Sequence, residues 1–121
     1  MARQILEESR IHPAIRDRIS ALNADIVKEV QDAVADNAVV MVGMRQNPMP
    51  KRARSLLDAA GIRYQYLEYG SYLAGWRRRN ALKMWTGWPT FPMVFVKGVL
   101  VGGAADLAQL HASGELAKLL A

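Results

Sequence analysis

The residues best placed for chemistry surround one predicted turn-to-helix junction, Asn47-Pro48, with Arg45, Lys51, Arg52 and Arg54 on either side of it. Asparagine before a helix accepts a hydrogen bond from the free backbone N–H groups of the first turn. Proline fits the first helical position without losing a bond. A helix start of this kind attracts carboxylates and phosphates through its dipole and its unpaired amides. The chemistry on offer is anion binding. Nucleophilic sulfur chemistry is excluded, because the 121 residues contain no cysteine. Disulfides, thiolate nucleophiles, iron–sulfur ligation and thiolate zinc sites by this chain go with it. His12 and His111 are too few for an imidazole metal site to be expected.

Other clusters have a sharper and a blander reading. Met44, Met49 and Met93 are soft thioethers that could converge on Cu(I), but methionine ordinarily fills gaps in cores. Arg77-Arg78-Arg79 beside Trp76 resembles a basic patch, yet three consecutive helical residues point in different directions and form a solvated face. Nucleic acid is therefore not the expected partner. Trp76, Trp85 and Trp88 read as packing residues, and His111 as a core or boundary residue.

These groups need elements to hold them. His12-Pro13 opens a helix, and Ile15, Ile19, Leu22, Ile26, Val30 and Val34 recur at three- and four-residue spacing as one apolar stripe. A short helix around Ile5 could precede it. Ala38 to Val42 is a continuous apolar run, the pattern of a strand buried on both faces. A helix through Ala53, Leu56, Leu57 and Ala60 stops at Gly61, and Ile62 to Glu68 alternates as a second strand. A further helix spans Leu73 to Trp85. Phe91 to Val96 and Val99 to Val101 form a hairpin about Lys97-Gly98, and helix resumes through Leu107, Leu110, Leu116 and Leu119. The first two strands, joined through a helix, should run parallel. Helices then cover both faces of the sheet.

Bulk properties agree with a single globular domain. Half the residues (51%) are apolar and 22% charged, so a real core is affordable and disorder is not expected. The net charge of +5 favours anionic partners in general. No segment reads as a membrane span or a secretory signal, which makes a cytoplasmic protein the expectation.

Trp88-Pro89-Thr90-Phe91-Pro92, followed by the hairpin and Gly102-Gly103, closely resembles the glutaredoxin family. Arg79 to Lys83 precedes Trp88 with the spacing of the monothiol branch, and Leu110 to Leu116 resembles the closing helices. The resemblance implies a thioredoxin-like α/β fold of three layers, α/β/α, with a four-stranded mixed sheet and an extended N-terminal helix. Residues 1–37 would be the extension and 38–121 the glutaredoxin-like domain. The family's reactive cysteine falls on Asn47, and its active box is Asn47-Pro48-Met49-Pro50. By resemblance the Phe91–Pro92 peptide is cis, and glutathione is the implied ligand. Phe91 would offer it backbone groups, Gly102 and Gly103 would hold its γ-glutamyl end, and Arg79 or Lys83 would pair with its glycine carboxylate. Arg45, Asn47, Pro92 and Asp106 complete the implied ligand set. Met44, Met93 and Ala105 stand where the family has lysine, glutamine and aspartate.

The leading functional expectation is a non-catalytic binding module for a glutathione-like anion or a protein partner. A homodimer through the N-terminal helix is one form of the latter. A glutathione-dependent enzyme using the bound ligand's own thiol is the alternative. It needs a thiol-activating side chain; Tyr64, Tyr66, Tyr69 and Tyr72 are read as lying away from the Asn47 box. An accessory role in iron–sulfur or redox homeostasis, beside a cysteine-bearing relative, is the third.

Overall fold

Two periodicities shape the molecule: alternation along four short strands, and three-to-four spacing along the helices that cover them. The computed structural model describes residues 2–121. A 3-10 turn at Glu8–Arg10 leads to α1 (Pro13–Ala21) and α2 (Ala24–Asp36). Then follow β1 (Val39–Gly43), α3 (Pro48–Ala59), β2 (Gln65–Glu68) and α4 (Trp76–Thr86). The chain closes with β3 (Met93–Val96), β4 (Val99–Gly102), α5 (Ala104–Ser113) and α6 (Glu115–Leu120).

The sheet order is β2-β1-β3-β4. As expected of a helix-linked pair, β1 and β2 are parallel, with Val40 opposite Gln65. β3 runs antiparallel to β1, Val40 facing Phe95, and antiparallel to β4. Lys97 and Gly98 join the last two strands, both at positive φ (51° and 81°), as a two-residue turn matched to strand twist requires.

Strand alternation divides the core into two layers. Val40, Val42, Met93 and Phe95 face Ile26 and Val30 of α2 and Leu82 of α4. Val39, Met41, Val94 and Val96 face Leu57 of α3, Leu107 of α5 and Leu116 of α6. All five residues of β1 are buried, which is why its sequence reads as an unbroken apolar run. The result is the three-layer α/β/α arrangement that the motif order implies.

The N-terminal stripe departs from expectation. It is not one helix: α1 ends before Asn23, which sits in the left-handed region at φ 49°, and α2 starts afresh. Asparagine tolerates that conformation better than other branched or bulky residues, so a break here is inexpensive. Ile26 and Val30 are fully buried, whereas no residue of α1 is, and Ile15, Ile19 and Leu22 stay exposed. α2 is thus part of the core, whereas no residue of 2–22 is buried.

Candidate functional site

The start of α3 is built as its sequence suggests. Asn47 is extended, its Oδ1 accepts from the Met49 backbone N–H at 3.0 Å, and Pro48 occupies the first helical position. The other end of the same amide reaches across the molecule. Asn47 Nδ2 donates to the Phe91 carbonyl at 3.3 Å, across a sequence separation of 44 residues. The Phe91–Pro92 peptide is cis. One side chain therefore caps the helix and latches the proline loop to it.

Between these two elements and the start of α5 lies a cleft of about 500 Å³. That is within the roughly 300–1,000 Å³ of small-molecule sites. Asn47, Lys83, Phe91, Pro92, Gly103 and Asp106 all line it, so six implied site residues share one concavity. Met44, Met49 and Trp88 form walls without closing it. Lys83 lies with its Nζ 5.8 Å from the Phe91 ring centroid, and no carboxylate pairs with it among the described residues. Asp106 turns back on its own helix. Its Oδ2 accepts from the Gly103 N–H at 3.0 Å, closing the first turn of α5.

Three implied ligand residues stand elsewhere. Arg79 is buried, 6% exposed, and its Nη1 donates to the carbonyls of Tyr69 (3.0 Å) and Ala74 (2.7 Å). Its guanidinium ties together a loop and does not face the cleft; burial pulls its pKa down. Gly102 does not line the cleft. At φ 114° it makes room for the Asp106 carboxylate, which a Cβ there would meet at 2.6 Å. Arg45 is exposed and opens onto a separate depression with Lys51, Arg54 and Glu68. Arg54 is held over the Tyr66 ring, 4.2 Å from its centroid. Arg45, Lys51 and Arg54 thus line a neighbouring depression, which shares Met44 and Asn47 with the cleft.

Several other sequence readings sort themselves out. Met93 is core, its sulfur in contact with Thr86 Oγ1 at 3.6 Å, so the three methionines do not converge in the cleft. Arg78 pairs with Asp25 at 3.1 Å, Arg77 lies 5.2 Å from the Trp76 ring centroid, and Arg79 is inside: consecutive arginines diverge as helical geometry demands. His111 is exposed on α5, not a core or boundary residue. Tyr72, read as distant, lines the cleft, as do Thr90 and Trp88. The signal for Trp88 was its place just before the proline loop; Tyr72 carries no sequence signal, because a loop brings it there.

No described helix is long and apolar enough to cross a membrane. The family model for glutaredoxin matches residues 39–101. A glutaredoxin-like protein of Dictyostelium discoideum is 42% identical over 92 residues, 76% of this chain and 75% of the relative. A glutaredoxin of Ricinus communis is 33% identical over 92 residues, 76% of this chain and 90% of its own length. The crystal structure of a buckwheat glutaredoxin–glutathione complex matches with a TM-score of 0.72 at 29% identity, covering 82% of this chain and 90% of that one. Motif order, strand topology and these similarities agree: the chain has the thioredoxin fold and belongs to the glutaredoxin family, as a member without cysteine.

Proposed function

We propose that this protein binds a glutathione-type ligand, an anionic peptide, in the cleft between Asn47, Phe91-Pro92 and Gly103, and performs no thiol–disulfide exchange of its own. The observation that carries this reading is the cleft itself: the thiol is absent, yet the space beside its position remains open. A scaffold kept only for its stability would gain by filling that space with its Met and Trp neighbours. Lys83 supplies a cation at the wall for a ligand carboxylate. Asn47 and Phe91 fit less generously, since the Phe91 carbonyl already accepts from Asn47. Bound glutathione would bring the site its only sulfur nucleophile; the chain's own residues hold and orient.

Isothermal titration with glutathione, glutathione disulfide, S-methylglutathione and acetate tests this. Glutathione and S-methylglutathione should bind with similar affinity, because no residue engages the thiol as a redox partner. Lys83→Met should weaken both about tenfold at low salt, the loss of one charge-assisted contact. Absence of heat, together with unmoved cleft amides in NMR spectra, would sink the proposal.

A second reading, assembly through the N-terminal segment, is favoured by the exposure of Ile15, Ile19 and Leu22, the last two lining one concavity with the exposed Met84. Light scattering tests it directly, and a monomer at high concentration refutes it.

A further inference from the structure

The indole Nε1 of Trp88 is the one buried side-chain nitrogen or oxygen without a hydrogen-bond partner among the described residues. Buried donors are nearly always paired, so an orphan at a cleft wall calls for an acceptor that the chain does not provide. Its surroundings are well defined. The Trp88 backbone N–H donates to Thr86 Oγ1 at 3.1 Å, and that hydroxyl in turn donates to the Leu82 carbonyl at 2.8 Å. The start of the Trp88 segment is thereby fixed to the last turn of α4. The indole nitrogen faces Gly103, where an added Cβ would lie 3.7 Å from Nε1 and 3.5 Å from the Pro92 carbonyl oxygen. Both Trp88 and Gly103 line the cleft. Gly103 sets no side chain against the unpaired N–H, and a Cβ there would stand at ordinary contact distance from it.

We propose that Trp88 is a ligand-binding residue, its indole N–H donating to a carboxylate or carbonyl oxygen of the anionic peptide held in the cleft. This rests on the cleft reading above and deepens it, by assigning the ligand's acceptor oxygen to the Trp88–Gly103 corner. A packing tryptophan needs only its ring; a ligand-binding one needs its N–H. Trp88→Phe removes the donor and keeps an aromatic wall. Gly103→Ala keeps the donor and covers it with a methyl group. Its backbone, at φ −102°, suits any residue, and the methyl contacts are of ordinary length.

The experiment titrates the full chain with S-methylglutathione, by calorimetry and by NMR of the three tryptophan indole N–H signals. Binding should move the Trp88 signal downfield, as a new hydrogen bond requires, and leave that of Trp76 in place. Trp88→Phe and Gly103→Ala should each weaken binding about tenfold. Wild-type binding with an unmoved Trp88 signal, or with unchanged affinity in both variants, overturns this proposal and leaves the cleft reading standing. No binding by the wild type overturns both.

Discussion

Removing the Asn47 side chain should unfasten two elements at once, and the size of the effect follows from its two hydrogen bonds. Oδ1 caps α3 through the Met49 N–H, and loss of such a cap costs about 1 kcal/mol. Nδ2 holds the Phe91 carbonyl from a partly buried position, a neutral hydrogen bond contributing about 1 kcal/mol. Asn47→Ala should therefore lose about 2 kcal/mol, equivalent to roughly 6–10 °C in melting temperature for a domain of this size. Asn47→Ser separates the two contributions. Serine caps a helix about as well as asparagine but is too short to span to Phe91, so it should lose only about 1 kcal/mol. Urea unfolding followed by circular dichroism measures all three proteins. If serine matches the wild type, the latch contributes nothing. If alanine falls within about 0.5 kcal/mol of the wild type, neither bond matters, and the account of this junction is wrong.

Other outcomes can be checked alongside. Arg79→Met should destabilise the fold by about 2–3 kcal/mol in urea, because two buried carbonyls lose a charged donor, while leaving glutathione affinity unchanged; a loss of affinity without a loss of stability would return Arg79 to the ligand set. Tyr66 is pushed from 10.0 to about 12, by burial first and then by Glu68, and Tyr69 is pushed up by burial and by its hydrogen bond to Glu29. Phenols raised on folding stabilise the native state fully below the unfolded value and progressively lose that contribution as pH rises through the folded one. Stability should therefore fall between pH 10.0 and about 12, less steeply in Tyr66→Phe and Tyr69→Phe; urea midpoints across that window give the comparison. Asn47→Cys should place a thiol at a helix N-terminus with a pKa below the usual value of about 8.5; an alkylation-rate profile with an ordinary midpoint would show that the helix start no longer activates sulfur.

Most of the fold could be read from the chain because its local signals agree. The unbroken run Val39 to Val42 announces a strand buried on both sides, and Lys97-Gly98 a tight hairpin. What misled were patterns whose meaning depends on what lies opposite. The spacing of Ile15, Ile19 and Leu22 continues that of Ile26 and Val30, but only the latter pair meets the sheet, and Asn23 breaks the backbone between them. α4 begins at Trp76, not Leu73, because Ser71 and Ala74 bridge to each other and Gly75 adopts a left-handed turn. The lining of the cleft was legible where a local turn or helix start sets a residue's place, as at Asn47, Pro92 and Gly103. It was not legible for Arg79, whose long side chain turned inward to carbonyls that no sequence spacing reveals.

That inward turn has a consequence for molecular recognition. Arg79 and the paired backbone of Ser71 and Ala74 close the base of the loop from Tyr69 to Gly75, and Gly70 admits the Ala74 carbonyl where a Cβ would meet it at 2.3 Å. The loop carries Tyr72 to the cleft. Its backbone entropy is surrendered when the chain folds, not when a partner arrives. A small ligand would thus meet a rim already set in place, and the free energy of its contacts would appear as affinity instead of being spent on ordering the loop.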